Sequence, residues 1–123
     1  PSGAASASPL APALDWARAH LDEPVTVRDL ARRAHLSVTT LHRRFRTELG
    51  TTPLAWLTVQ RVQRARELLE RGDLTLDLVA ERTGLGTTAN LRAQFRRHTG
   101  VSPSGYRRRF AAGRDGARGA ARQ

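Results

Sequence analysis

The sequence predicts an all-α protein: two helix-turn-helix subdomains, about seven helices in all, joined by a long linker helix. Three observations carry this. No stretch alternates apolar and polar residues as a half-buried strand does, whereas apolar residues recur at three- and four-residue spacings. Those runs lie between Ser or Thr starts and Gly stops. Most informative, residues 26–56 recur in degenerate form at residues 75–106. Thr26 pairs with Thr75, Leu30 with Val79, Ala31 with Ala80 and Leu36 with Leu85, all 49 apart. One extra residue then enters the second copy, after which Leu41 pairs with Leu91, Phe45 with Phe95, Gly50 with Gly100, Pro53 with Pro103 and Trp56 with Tyr106, all 50 apart.

The elements follow in order. Residues 1–9, small and polar, read as a flexible linker. Residues 10–50 form the first subdomain. Its first helix is expected over roughly Pro12 to Leu21, burying Leu14, Ala17 and Leu21, and Pro24 forbids its continuation through Glu23. Thr26 with Asp29 three positions on resembles a capping box and starts the second helix, which buries Val27, Leu30, Ala31 and Ala34. Ser37 caps the third, which ends at Gly50. The linker helix, residues 51–72, opens on Thr52-Pro53 and stops at Gly72. Residues 73–110 repeat the plan: a helix over Leu76 to Thr83, one over about Thr87 to Thr99 stopped by Gly100, and one from Ser102-Pro103 to about Phe110. Residues 111–123 lack apolar periodicity and read as a disordered basic tail.

A chain of 123 residues is one compact domain or two very small ones. Neither repeat, at about 30 residues, buries enough apolar surface alone. Net charge is +10, and every basic residue is Arg. That favours planar bidentate contacts to phosphate or guanine, although a GC-rich coding sequence would also produce it. Without Cys there is no disulfide or thiolate metal site. His20, His35, His42 and His98 lack metal spacing, and no strand precedes a Gly-rich phosphate loop. Nothing brings Ser, His and Asp together. The expectation is a non-enzyme with no metal and no cofactor. No apolar run reaches membrane-spanning length and no signal peptide is evident, so a soluble, cytoplasmic and nucleoid-associated protein without a membrane partner is expected. The missing initiator Met suggests a piece of a longer protein.

Two small helical units with Arg-rich second helices suggest two contacts on one elongated anionic partner, most simply double-stranded DNA. On the third helix, at about 100° per residue, Leu41, Phe45 and Leu49 form the core side. Thr39, His42, Arg43 and Arg46 fall together on another side, as donors suited to base edges in the major groove. In the sixth helix Leu91 and Phe95 face the core, and the matching stripe is Ala89, Arg92, Ala93 and Arg96, with Thr88 and Asn90 near its start. The base-reading candidates are therefore Thr39, His42, Arg43, Thr88, Ala89, Asn90, Arg92 and Ala93. Two alanines leave the second unit fewer donors and more reliance on phosphate and DNA shape. The phosphate candidates are Ser37, Arg46, Thr52, Arg96, Arg97, Ser102 and Arg107, the helix starts contributing backbone N–H groups. Residues 13–30 carry four acids and two Arg, and residues 84–110 six Arg and no acid. Positive charge is thus concentrated in the second half of each unit.

The stretches LSVTTLHRRFRTELGTTP (36–53) and VAERTGLGTTANLRAQFRRHTGVSPSGYRR (79–108) resemble the AraC-type DNA-binding domain. The resemblance covers about residues 12–110. It implies a bacterial transcription regulator that binds DNA sequence-specifically, its two recognition helices in successive major grooves of an asymmetric site. It also places Thr39, His42, Arg43, Thr88, Ala89, Arg92 and Ala93 at the base-reading positions. Gly84 fits the family's turn, whereas His35 departs from it. The opening LDWARAHLDEPVTVRDLARRA is similar to the subset with an N-terminal domain like class I glutamine amidotransferases. There a small-molecule effector would act only through that N-terminal domain. Transcription activation by contact with RNA polymerase is likewise implied by the family alone.

Two alternatives stay open. A helical protein- or RNA-interaction module would use the same repeat without reading DNA. RNA modules bring exposed aromatics, whereas Phe45, Phe95 and Tyr106 are placed on core faces here, leaving Trp56 ambiguous. Arg61 points into the apolar stripe of the linker helix (Leu54, Leu57, Val62, Ala65, Leu68, Leu69). A buried guanidinium needs a partner, so a structural ion pair with Asp29 or Asp77 is favoured over a phosphate contact.

Overall fold

The computed structural model describes the backbone of residues 8–122 and the side chains of residues 8–113. Among the described residues there are seven helices and no strand: α1 (Leu10–Ala19), α2 (Val27–Ala34), α3 (Val38–Leu49), α4 (Pro53–Arg71), α5 (Leu76–Thr83), α6 (Thr88–Thr99) and α7 (Pro103–Arg122).

The chain divides into two compact units, the first ending at Gln60 and the second beginning at Arg61. The boundary falls inside α4, so the linker helix is not a separate piece between two subdomains. Its first part supplies Trp56 and Leu57 to the core of the first unit, with Leu10, Ala13, Ala17, Leu30, Ala31, Leu41 and Phe45. Its later part supplies Val62, Ala65, Leu68 and Leu69 to the second core, with Val79, Ala80, Leu91 and Phe95. The expected continuous apolar stripe on α4 is thereby divided. Leu54 does not belong to it: it is 62% exposed, about 100° around the helix from the buried Pro53–Trp56–Leu57 face.

The caps read from sequence position the starts of the helices. Thr26 and Asp29 form a reciprocal capping box, with the Thr26 amide 2.9 Å from Asp29 Oδ2 and the Asp29 amide 3.1 Å from Thr26 Oγ1. Ser37, Thr75 and Thr87 each accept the backbone N–H three residues on, from Thr40, Leu78 and Asn90. Thr52 and Ser102 do the same for Ala55 and Gly105 ahead of α4 and α7. Gly50, Gly84 and Gly100 end their helices in the left-handed conformation.

Four expectations need correction. Helix α1 begins at Leu10, not Pro12, because a proline within the first turn removes an N–H that has no intrahelical partner there. Leu10 and Ala13 are consequently core residues, while Leu14 is only half-buried. Of the segment read as a linker, residues 1–7 lie outside the described residues. Ser8 is not loose: its hydroxyl donates to Glu48 Oε1 at 2.5 Å and accepts the Leu10 amide at 3.1 Å. Leu49, assigned to the core side of α3, is 41% exposed in the last turn, where the chain departs the packed face. Finally, α7 does not stop near Phe110 but runs to Arg122, where a disordered tail was expected. The segment 111–122 contains no proline and six Ala or Arg residues beyond Ala111 and Ala112, and these good helix formers offset the glycines.

The extra residue of the second copy is Gly86. In the first copy the Leu36 amide closes the turn onto the Ala31 carbonyl at 2.9 Å. In the second, the amide one residue further on, that of Gly86, reaches Ala80 at 2.8 Å. Gly86 has φ +87°, a conformation open to glycine at little cost. The insertion is absorbed in the turn, so Thr87 caps α6 as Ser37 caps α3.

Candidate nucleic-acid interface

On α3 the core side is Leu41 and Phe45, both fully buried. Phe45 meets Trp56 edge-on, with ring centroids 6.2 Å apart. The Arg18 guanidinium lies over the other reach of Trp56 at 5.2 Å, which resolves the ambiguity over that residue: its indole is a core group. Thr39, His42, Arg43 and Arg46 are exposed, and no hydrogen bond or ion pair among the described residues engages their side chains. Arg44, off this stripe, is instead held by Glu48, its Nε 2.5 Å from Oε2. Hydrogen bonds from Ser8 and then Arg44 keep the Glu48 carboxyl below its ordinary range. The helix therefore fixes one flank to its own unit and leaves a donor-rich stripe open.

On α6 the corresponding pair is Leu91 and Phe95, with Phe95 edge-on to Tyr106 at 5.5 Å. The Tyr106 hydroxyl donates to the Glu70 carboxylate. That bond, and then burial, push the phenol above its usual value. Ala89, Arg92, Ala93, Arg96 and Arg97 are exposed and Thr88 is half-buried. The two stripes align residue by residue, Thr39 with Ala89, His42 with Arg92, Arg43 with Ala93 and Arg46 with Arg96. Each unit thus carries an exposed helix face backed by an edge-on aromatic pair, Phe45–Trp56 in the first and Phe95–Tyr106 in the second.

A family model described as a helix-turn-helix domain matches residues 30–109. The chain belongs to the AraC-type helix-turn-helix family. It is 37% identical over 95 residues to a probable thc operon regulatory protein of Rhodococcus erythropolis, covering 75% of this chain and 29% of that protein. It is 39% identical over 83 residues to a putative AraC-like transcription regulator of Streptomyces lividans, covering 68% and 27%. Among solved structures it resembles the DNA-binding domain of AdpA, crystallised in complex with a target DNA. That match has 45% identity and a TM-score of 0.83, over 89% of this chain and 98% of that one. The chain spans less than a third of the length of the first two of these relatives. The AraC-type fold is all-helical here as expected from the sequence.

Several candidates of this AraC-type chain are engaged within their own unit. Asn90, expected at base edges, donates from Nδ2 to the Leu85 carbonyl at 3.0 Å, securing the lengthened turn. Its Oδ1 lies 3.4 Å from Gln94 Nε2. The insertion of Gly86 creates that task, since the matching residue of the first copy, Thr40, bonds Ser37 instead. Arg107 donates from Nη1 to the Leu74 carbonyl, fastening α7 to the loop before α5. The hydroxyls of Ser37, Thr52 and Ser102 cap helices. Ser37 also gives its O–H to Thr40 Oγ1, whereas the Thr52 and Ser102 hydroxyls act there as acceptors and keep an O–H to donate.

Arg61 is half-buried, and burial lowers its guanidinium from the ordinary value. Asp29, one partner considered for it, has its oxygens on the Thr26 amide and on Arg32 at 3.1 Å. Sequence reasoning missed the ties that hold the open stripes in place. Ser8–Glu48 and Arg66 over Tyr106, at 5.6 Å, join residues about 40 positions apart. Such pairs leave no periodic trace in a sequence.

Proposed function

We propose that this chain binds double-stranded DNA sequence-specifically as the reader of a bacterial transcription regulator, α3 and α6 each entering a major groove of one asymmetric site. The observation that carries this is the open stripe Thr39–His42–Arg43–Arg46 on a helix whose opposite side is fully buried. Guanidinium, imidazole and hydroxyl groups that have no hydrogen-bond or ion-pair partner among the described residues suit base edges, Arg pairing bidentately with guanine. The likeness to a domain crystallised on its target DNA supports the same reading.

Thr39, His42, Arg43, Arg92, Ala89, Ala93 and Thr88 are assigned to bases, and Arg46, Arg96 and Arg97 to phosphates. Arg61 is assigned a structural ion pair. The chain acts without a catalytic step, in the cytoplasm. In the whole protein, activation would run through contact with RNA polymerase, and any effector would act through an N-terminal domain outside these residues.

Sites selected by this chain from random duplexes give the test. Affinity for the selected duplex should fall steeply with salt, with about 6 to 10 phosphates neutralised. A flat salt response, or selection that enriches no sequence, would refute the proposal.

A further inference from the structure

We infer that the two units hold the sugar–phosphate backbone unequally, Arg28 of α2 being a phosphate contact to which Asp77 of α5 is the charge-reversed counterpart. This deepens the DNA-binding proposal and rests on it. The internal repeat supplies the comparison. At a spacing of 49, Arg28 matches Asp77 and Arg32 matches Glu81, while Arg33 matches Arg82. All six side chains are exposed, so neither burial nor packing dictates their signs. The three positions together carry +3 on α2 and −1 on α5, counted from these six residues.

These helices are the first of each helix-turn-helix, the element that crosses the DNA backbone while the second reads the groove. A charge there acts mainly on phosphate and hardly on base choice. The Arg28 guanidinium makes no hydrogen bond or ion pair among the described residues, unlike Arg32, which holds Asp29, and Arg33, which lies 4.4 Å over the Trp16 ring. Arg28 is the member of the trio left available to an external anion. At the matching point the second unit presents a carboxylate, which repels the same anion. The first unit combines the richer reading stripe with the firmer backbone grip, and the second combines a half-alanine stripe with a weakened grip.

A structural reason for Asp77 competes: an acid in the first turn steadies a helix N-terminus. The first unit meets that need with Asp29 of its capping box. The two roles separate experimentally. Binding of the full chain to a mixed-sequence duplex of about three helical turns is followed by anisotropy across a salt series, with melting followed in parallel. Arg28→Ala should make the logarithmic salt slope shallower by about one and weaken binding about threefold at moderate salt. Asp77→Arg should tighten binding about three- to tenfold and steepen the slope. Asp77→Asn should tighten it by less; this near-isosteric change keeps the question open to test if Asp77→Arg unfolds the second unit.

Unchanged slopes and affinities in Arg28→Ala and Asp77→Asn, with the parent still binding, would overturn the inference alone. So would an Asp77→Asn effect confined to melting. Failure of the parent to bind any duplex would overturn the DNA-binding proposal itself, and this inference with it.

Discussion

His35 holds, at φ 58°, the left-handed backbone that Gly84 holds at φ 79° in the second copy of the turn. Among the described residues His35 is the non-glycine residue with positive φ. Its Cβ makes that conformation costly by about 1–2 kcal/mol. Glycine would remove this cost and give back part of it as greater freedom in the unfolded chain, about 0.5–1 kcal/mol. His35→Gly should therefore stabilise the chain by about 0.5–1 kcal/mol, read as a higher urea midpoint at unchanged m-value. Gly84→Ala should lower it by about 1 kcal/mol. A lower midpoint for His35→Gly would show that the exposed imidazole itself contributes to stability.

Asn90 secures the Leu85 carbonyl rather than standing open to a base, and this too can be measured. Asn90→Ala removes a net hydrogen bond of about 1 kcal/mol from the turn. The expected result is a second unit that melts earlier and binds every duplex somewhat less tightly, with site preference retained. Loss of preference at a single base pair, with melting unaltered, would restore Asn90 to the reading set that its place in the sequence suggests.

The repeat, its caps and its core pairs were legible in the sequence because each rests on local chemistry. Thr26 with Asp29, Ser37, and Gly50 with Pro53 determine helix ends within a few residues of themselves. The stripes were legible because Leu41 and Phe45 fix by helical geometry where Thr39, His42 and Arg43 must face. What escaped depends on partners distant in the chain. Asn90 has its task only because Gly86 lengthens the turn, and Arg107 is committed only because the Leu74 carbonyl comes within reach. Leu49 and Leu54 have apolar character and helical spacing, yet stand exposed where the chain turns from α3 into α4. The extension of α7 escaped for the opposite reason. Without apolar periodicity its helix leaves no amphipathic signal, and propensity alone is a weak guide.

Acid should loosen the first unit through Asp29 and Glu48. Both carboxyls lie below their ordinary values, Asp29 chiefly through the Thr26 amide and hydroxyl and Glu48 chiefly through Ser8 and then Arg44. A carboxyl depressed in the folded state contributes stability that is present above its unfolded value, about 4. That contribution is lost as pH falls through the folded value. The urea midpoint should accordingly decline below about pH 4, and Asp29→Asn should flatten that decline. Thr26→Ala should cost about 1 kcal/mol at neutral pH through the lost cap and flatten it as well. An acid limb of unchanged steepness in both variants would exclude the capping box as a source of the decline.

Arg43 and Arg97 are both exposed arginines on helices proposed to meet DNA, and their substitution should have different consequences. Arg43 lies on the stripe with Thr39 and His42, so Arg43→Ala should cost about 1–3 kcal/mol on the selected site and relax preference at the base pair it reads. Its loss on unrelated duplexes should be smaller, because bidentate pairing with guanine requires the right base. Arg97 is assigned to phosphate, which is present in every sequence. Arg97→Ala should weaken selected and unrelated duplexes alike and reduce the salt slope by about one. Competition binding with a panel of single-base variants distinguishes the two. A preference altered by Arg97→Ala, or a uniform loss in Arg43→Ala, would exchange their roles. It would then place the reading edge of the repeat on α6 rather than on the richer stripe of α3.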